Sequence, residues 1–248
     1  IPAPAPEPHI DCPASGSWFL RASPELQMKK LLASGLERIW QMGPCFREGE
    51  RGSRHHPEFT MLEWYRAQAD YLDILTDMEA LVADVLGTFR PSTAGPFRRL
   101  TVRDAYRAYA GWDPFADWDA DRFDFDMATK IEPNLPREPT FLIDYPPPAA
   151  SLSKLRGDVA ERWELYVDGM ELANAFTELT DAAEQRRRFE AARAERRRIG
   201  EADYPLDEEF LRLLQFMPPT GGVALGVDRL VMLAAGAQTI DAVRIVED

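Results

Sequence analysis

The longest regular hydrophobic pattern in the chain lies between residues 72 and 89. Its apolar side chains recur three and four positions apart, at Leu75, Met78, Leu81, Val82, Val85 and Leu86. Because residues at this spacing share one face of an α-helix, the pattern predicts an amphipathic helix over 72–89. The apolar stripe is expected to pack in the hydrophobic core.

A second pattern, with side chains alternating between two faces, predicts a strand over 59–65. One face of this strand carries Phe59, Met61, Glu63 and Tyr65. A strand that faces the core does not normally carry a carboxylate, so we expect this face to line a site. Residues 39–42 are predicted to form the paired strand.

Capping and turn residues predict most of the other elements. Helices are expected at 23–33, 101–110, 181–199 and 207–216, because a Ser, Thr or Asp precedes each of them. The pair Asp168-Gly169 favours a tight antiparallel hairpin, which would join strands at 160–167 and 170–177.

A glycine-punctuated strand near the C-terminus runs directly into a helix whose first turn holds Asp228 and Arg229. Gly222 and Gly226 leave the face of this strand bare, which lets a flat or bulky ligand lie close to the backbone. Neither a Walker A motif nor a dinucleotide-binding fingerprint occurs, so a nucleotide site here requires another design.

Composition narrows the functional classes. The 248 residues are 45% hydrophobic and provide material for one large domain or two small ones. The net charge of −13 argues against a general nucleic-acid binder. Two cysteines and three histidines fit no disulfide or zinc framework, which indicates a reducing cytosol. Neither a signal peptide nor a membrane-spanning run is visible, and the initial Ile indicates a chain that starts inside a longer product.

Two charged segments invite two interpretations each. The predicted helix at 181–199 carries seven arginines, which form either a solvated face or a docking surface for an acidic partner. Residues 113–126 carry six aspartates, but they lack the glycine and the closing glutamate of a calcium loop. We therefore expect that segment to be a solvated surface.

Three blocks of the sequence resemble class II aminoacyl-tRNA synthetases. Residues 46–65, Phe-Arg followed by a loop and His-His-Pro-Glu-Phe-Thr-Met-Leu-Glu-Trp-Tyr, resemble motif 2. Residues 222–233 are similar to motif 3, and 171–181 are similar to the metal-carboxylate strand of the lysyl branch. Within that branch, the chain from about Trp18 onward resembles the short paralogues that attach (R)-β-lysine to elongation factor P.

The resemblance implies an α+β class II catalytic fold, an antiparallel sheet flanked by helices, with 1–248 as one catalytic domain. It implies a cytoplasmic ligase that uses ATP and magnesium to activate (R)-β-lysine, or lysine, as an adenylate and transfers it to a lysine of elongation factor P. Neither tRNA nor a membrane is expected as a partner. The family's motif 1, which builds its dimer interface, is not found in the sequence, and a homodimer is implied for the full-length protein.

The resemblance also assigns roles position by position. Arg47 and Arg229 are implied as catalytic, with Arg47 on the α-phosphate and Arg229 opposite Phe59 across the adenine. The implied ATP-binding set is Arg47, Glu48, Gly49, His55, His56, Phe59, Glu171, Leu172, Gly226 and Arg229. The implied substrate-binding set is Ser23, Pro24, Glu25, Glu63, Tyr65, Glu178 and Ala224. Glu171 and Glu178 are the implied magnesium ligands.

The sequence departs from the family pattern in three places. Gly49 stands where the family has Glu, so Glu48 or Glu50 takes that role or the contact is made by the backbone alone. His56 replaces the usual Asn. Glu171 and Glu178 are seven positions apart, so on a regular strand they would face opposite sides, and sharing a metal requires a bulge.

Ala224 bears on the choice of substrate. Lysyl-tRNA synthetases have Gly at this position in the floor of the amino-acid pocket, and a methyl group there would favour an amino group moved to the β-carbon. The alternative is a neutral replacement. Two other functions remain open at this point: the catalytic core of a lysyl-tRNA synthetase, and a non-catalytic paralogue that binds ATP or an amino acid.

Overall fold

The computed structural model describes residues 2–3, 10–90 and 97–244. The strands are β1 (Pro2–Ala3), β2 (Ala14–Ser15), β3 (Trp18–Leu20), β4 (Arg38–Phe46), β5 (Glu58–Ala67), β6 (Arg98–Thr101), β7 (Thr140–Tyr145), β8 (Leu155–Arg156), β9 (Val159–Val167), β10 (Met170–Thr177) and β11 (Thr220–Gly226). The α-helices are α1 (Glu25–Ala33), α2 (Tyr71–Phe89), α3 (Val102–Ala105), α4 (Ala120–Asp126), α5 (Ala182–Ile199), α6 (Glu208–Leu214) and α7 (Val227–Ala235).

An eight-stranded sheet organises these elements. Seven strands follow the order β4-β5-β11-β10-β9-β7-β6, and β8 pairs with β9. All neighbours are antiparallel except β6 and β7, which are parallel. The expected α+β architecture, an antiparallel sheet flanked by helices, is therefore observed. A separate small sheet joins β1, β3 and β2.

The two faces of the sheet are covered differently. The stripe of α2 predicted from the sequence packs on one face, where Trp163, Leu165, Val223 and Leu225 are buried against it. A second core brings α1, α5 and α6 together around Tyr65 and Phe176. Side chains alternate between the two faces of each strand, so the strands that pack on α2 also present side chains on the opposite face. The centre of that opposite face is not covered by α2.

Most local predictions hold, with shifts at the ends. Asp70 caps α2 with a reciprocal capping box, so the helix begins at Tyr71, one residue before the predicted start. The predicted helix at 101–110 begins at its Thr101 cap but continues from α3 into a π-helical turn, Tyr106–Ala110. The turn pair Asp168 and Gly169 has φ angles of 51° and 69°, as a tight antiparallel hairpin requires.

The prediction of a solvated surface over 113–126 is wrong at one aspartate. Asp126 is buried, and its carboxylate accepts a hydrogen bond from Trp112 Nε1 at 2.9 Å and pairs with Lys130 at 2.7 Å. These partners replace the water that the carboxylate loses. In the part of the chain that the structure describes, no helix has both the length and the apolar character needed to cross a membrane.

Candidate active site

A cavity of about 360 Å³ lies on the sheet face that α2 leaves free. The strand register builds its floor, because residues directly opposite each other on neighbouring strands share a face. One row across the sheet consists of Glu63, Ala224, Asn174 and Glu164. The next row consists of Tyr65, Gly222, Phe176 and Arg162. All eight residues line the cavity, which confirms that the alternating face of β5 is exposed to a site.

Carboxylates crowd one end of the cavity. Lys29 lies beneath them, fully buried, with its Nζ 2.5 Å from Glu25 Oε1 and 2.5 Å from Glu178 Oε2. The Tyr65 hydroxyl donates to Glu63 Oε2 at 3.1 Å, while Glu63 Oε1 is buried without a hydrogen-bond partner among the described residues. This unpaired oxygen is an acceptor that a cationic ligand would satisfy.

The pKa values at this end reflect competition between burial and charge. Burial, with the charge of Glu25, raises the pKa of Glu63 well above its usual value. Burial also raises the pKa of Glu178, against the opposing charge of Lys29. Burial alone would lower the pKa of Lys29, but the charges of Glu178 and Glu25 outweigh it and raise that pKa.

Two glycines of β11 allow close packing, one on each face of the sheet. On the cavity face, a Cβ on Gly222 would lie 2.3 Å from Glu178 Oε1 and 2.3 Å from the Tyr65 ring. On the opposite face, a Cβ on Gly221 would lie 2.6 Å from the Asp70 carbonyl oxygen and 2.6 Å from Ile74 Cγ1 of α2. Gly226 differs, since its Cβ would meet ordinary contacts at 3.7 Å. The bare strand face predicted from the sequence is thus required at Gly222 but not at Gly226.

Arginines and an aromatic ring form the other end. The Arg47 guanidinium carbon lies 5.1 Å from the centre of the Phe59 ring, and Arg47 Nε is buried without a hydrogen-bond partner among the described residues. Arg229 donates to the Glu171 carbonyl at 2.8 Å and lies 2.7 Å from His55 Nε2. Burial and the charge of Arg229 lower the pKa of His55, so its neutral ring accepts this hydrogen bond.

The loop after β4 settles which acidic residue faces the cavity. Gly49 has a φ of 77°, a left-handed conformation that a glutamate side chain would strain. Glu50 lines the cavity, with its carboxylate 3.7 Å from Arg47 Nη1. Glu48 and Gly49 instead line a separate hollow beside Tyr204. Of the two glutamates left open by the sequence, Glu50 is therefore the one that faces the cavity.

The two implied magnesium ligands lie in the same cavity. Glu171 and Glu178 both line it, and β10 carries a register irregularity between Glu171 and Ala173, the kind of bulge that a shared metal requires. Burial and the neighbouring charge of Glu164 raise the pKa of Glu171 to about 7, and Glu178 pairs with Lys29. The Asp168-Gly169 hairpin brings the strand of Glu164 beside that of Glu171.

The cavity gathers most of the residues assigned from the resemblance. It is lined by Ser23, Glu25, Arg47, His55, His56, Phe59, Glu63, Tyr65, Glu171, Leu172, Glu178, Ala224, Gly226 and Arg229. Pro24 is not among the lining residues and occupies the N-cap position of α1. Sequence reasoning missed Arg162, Glu164 and Asn174. The position of Glu164 could have been found from the hairpin, because Asp168-Gly169 fixes which residues of β9 and β10 are neighbours.

The fold and the cavity define a synthetase-type catalytic domain. Residues 9–246 match the family of class II tRNA synthetases for D, K and N, and the chain belongs to that family. It is similar to the lysine–tRNA ligase of Moorella thermoacetica, with 40% identity over 90% of this chain and 53% of the relative. It is also similar to the elongation factor P–(R)-β-lysine ligases of Proteus mirabilis, at 39% identity, and Salmonella gallinarum, at 37%, each covering 90% of this chain and 75% of the relative.

These comparisons confirm the predicted family and the predicted enzyme class, a ligase of the class II synthetase type. The chain spans about half the length of the lysine–tRNA ligase, 53%, and three quarters, 75%, of the two β-lysine ligases.

Proposed function

We propose that this chain activates (R)-β-lysine, or lysine, with ATP as an acyl adenylate and transfers it to a lysine side chain of elongation factor P. The observation that carries the proposal is the division of one cavity into two chemically opposite ends. Carboxylates and a phenol form one end, and arginines with an aromatic ring form the other. A cationic amino acid fits the first, and a nucleoside triphosphate fits the second.

The acidic end suits a substrate with two amino groups. With a cationic ligand bound, Glu25, Glu63 and Glu178 would carry three negative charges, because a nearby cation opposes the burial that raises the pKa values of Glu63 and Glu178; Lys29 supplies one positive charge. The resulting net negative charge would be neutralised by two ammonium groups, which both lysine and β-lysine possess. Glu63 Oε1 supports this assignment, because a buried carboxylate oxygen without a partner is costly until a donor reaches it.

Ala224 supports the β-amino acid within this class. It lies directly opposite Glu63 in the sheet, so its methyl group stands beside the carboxylate that has the unpaired oxygen. The methyl group occupies space that a glycine would leave open at the floor. A substrate whose amino group lies one carbon further from the carboxylate avoids this crowding.

The basic end suits ATP. Phe59 offers a face for the adenine, and the Arg229 guanidinium, fixed by Glu171 and His55, offers an opposing cation. Arg47 has a buried Nε without a partner, and this donor is placed for a phosphate or carboxylate oxygen. Glu50, near Arg47, is the loop carboxylate available to the nucleotide.

The proposed reaction has two steps. The substrate carboxylate attacks the α-phosphorus of ATP, the bond to the β-phosphate oxygen breaks and pyrophosphate leaves. The neutral amine of the partner lysine then attacks the acyl carbonyl, AMP leaves, and an amide forms with loss of a proton to water. Arg47 would align and neutralise the two anions of the first step, which is the main contribution a protein can make to such a displacement.

Glu171 and Glu178 are the residues that would hold a magnesium ion. Both line the cavity and both offer hard carboxylate oxygens. Among the described residues no group of three or more His, Cys, Asp or Glu is arranged to hold a metal. Magnesium commonly uses only one or two protein carboxylates and takes its other ligands from substrate phosphates and water. When bound, it would neutralise charge on the phosphates.

Pyrophosphate exchange tests the first step. Purified protein is supplied with ATP and either (R)-β-lysine or lysine, and the expected result is faster exchange with (R)-β-lysine. Arg47→Ala should lower the exchange rate by about 100- to 1000-fold, as expected for a preorganised charge contact. Arg38→Ala is the control, since Arg38 is an exposed residue of β4, the strand that leads into Arg47, and lies outside the cavity. No exchange with either amino acid would refute the proposal and favour a non-catalytic binding role.

A second candidate function is the catalytic core of a lysyl-tRNA synthetase, which the 40% identity to the Moorella thermoacetica enzyme supports. Transfer of the activated amino acid to its acceptor distinguishes this candidate from the leading proposal. Activated protein is incubated in parallel with elongation factor P and with tRNA. A mass increase of elongation factor P by one aminoacyl group is the expected result. Stronger activation of lysine with transfer to tRNA would overturn the leading proposal in favour of the second candidate.

A further inference from the structure

The wall above the acidic end of the cavity is a short irregular segment, residues 150–154, between a single 3-10 turn and β8. Ser151 and Leu152 line the cavity. Ser151 has a φ of 51°, in the left-handed region that a non-glycine residue rarely adopts. This conformation is disfavoured on its own, so contacts from neighbouring elements must hold it.

One side of this segment is fixed to the end of β10. The Lys154 amide donates to the Thr177 carbonyl at 2.8 Å, and the Leu179 amide donates to the Leu152 carbonyl at 3.0 Å. Between them Ser153 forms an isolated antiparallel bridge with Glu178. The position of the segment is therefore coupled to the backbone of Glu178, a carboxylate of the acidic end.

The other side is held by one side chain of α5. Arg188 Nη1 donates to the Ser151 carbonyl and to the Ser153 carbonyl, each at 2.8 Å. Its Nε donates to Glu184 Oε1, also at 2.8 Å, one helical turn earlier. The planar guanidinium thus spans the segment and its own helix, a geometry that a single ammonium group cannot reproduce.

The other arginines of α5 have different partners. Arg187 bonds the same Glu184 but is 70% exposed, and Arg186, Arg193, Arg197 and Arg198 pair with surface carboxylates. Arg196 pairs with Asp11 and donates to the Ala202 carbonyl. Each of the seven arginines has a partner within the chain, which favours the solvated face over a docking surface. Arg188 differs from the others because it bonds a cavity-lining residue, Ser151.

We propose that Arg188 is a positioning residue that holds the wall segment over the acidic end and thereby sets the affinity for the amino-acid substrate. This inference rests on the proposed function for its kinetic consequence. Its structural basis is independent of it: a strained Ser151, two carbonyls bonded by one guanidinium, and a backbone bridge to Glu178.

Kinetics provide the first test, with Arg188→Gln compared to the matched control Arg187→Gln. In pyrophosphate exchange, Arg188→Gln should raise KM for (R)-β-lysine about tenfold, the size expected for losing one to two charge-assisted hydrogen bonds that order a wall. KM for ATP and kcat should stay within about twofold, because the basic end is built by other elements. Arg187→Gln should match the wild type. Arg188→Lys should recover only part of the lost affinity, since lysine keeps the positive charge but lacks the planar guanidinium that bonds several groups at once.

Hydrogen exchange provides a test that needs no activity. The Lys154 and Leu179 amides should exchange faster in Arg188→Gln than in Arg187→Gln, while amides in the middle of β9 stay unchanged. Equal exchange in the two variants, or equal KM effects on ATP and the amino acid, would overturn the proposal. If the wild type shows no pyrophosphate exchange, the proposed function fails while the hydrogen-exchange result still decides the role of Arg188.

Discussion

Replacing Lys29 by Met tests how the acidic end is held together. Met keeps an unbranched, apolar stem of similar length and removes the ammonium group. In the structure that group is fully buried and lies 2.5 Å from each of two carboxylates, Glu25 and Glu178. The substitution therefore leaves two like charges close together with no internal counter-ion.

The expected loss is large because the partners remain buried. Glu178 is 1% exposed and Glu25 12% exposed in their side chains, so water cannot readily replace the lost ammonium. Removing one partner of a buried ion pair costs about 3–5 kcal/mol of unfolding free energy. Lys154→Met is the control: the Lys154 side chain is exposed, so its replacement should change the free energy of unfolding by less than about 0.5 kcal/mol.

The loss should depend on pH in a defined direction. Without Lys29, burial and the charge of Glu25 act unopposed on Glu178, so its pKa in the folded variant stays above the unfolded value of 4.5. A group with a raised folded-state pKa favours folding while it is protonated, and that stability is lost as pH rises through the folded-state pKa. The free energy of unfolding of Lys29→Met should therefore lie closest to the wild-type value near pH 4.5, and the difference should grow toward neutral and alkaline pH.

Urea unfolding followed by circular dichroism, repeated across this pH range, measures the deficit. The midpoint should fall at constant slope, because the change in exposed surface is the same for both proteins. A loss below about 1 kcal/mol at neutral pH, or a deficit that shrinks as pH rises, would show that the ammonium is not the internal counter-ion of these carboxylates.

Two substitutions in β11 test the floor of the cavity. Gly222→Ala should lower the free energy of unfolding by about 1–3 kcal/mol and weaken amino-acid binding, because the new methyl group would overlap Glu178 and the Tyr65 ring at 2.3 Å. Thermal unfolding measures the first effect and KM for the amino acid the second. Gly226→Ala, with its nearest contacts at 3.7 Å, is the control. Equal effects of the two variants would contradict the packing argument. Ala224→Gly should shift the ratio of pyrophosphate exchange toward lysine over (R)-β-lysine, and an unchanged ratio would remove the argument for a β-amino substrate from this residue.

Local features of the fold could be predicted because short-range physics determines them. The stripe of α2, the Asp181 cap of α5 and the turn at Asp168 depend on residues close in sequence, and each is found as expected. The polar face of β5 could also be predicted, since Glu63 breaks an otherwise apolar alternation. In each case the element predicted from the sequence pattern is the element found in the structure.

Other parts of the site depend on long-range register and could not be read from local patterns. The resemblance, and not a local pattern, assigned Glu171 and Glu178, which both line the cavity. The carboxylate whose charge acts on Glu171 is Glu164, which the hairpin brings from the preceding strand. The direction in which Glu50 points depends on the left-handed backbone at Gly49, which a sequence pattern does not show. The sequence pattern of α1 likewise does not show that Lys29 pairs with Glu178 at the acidic end of the cavity.

The glycines of β11 also determine how the pocket can change during evolution. At Gly222 any side chain would collide with Glu178 and the Tyr65 ring at 2.3 Å, so single replacements there are closed. At Gly226 the nearest contacts are at 3.7 Å, and Ala224 lines the cavity. Within β11, changes of substrate range are therefore open at positions 224 and 226 and closed at 222.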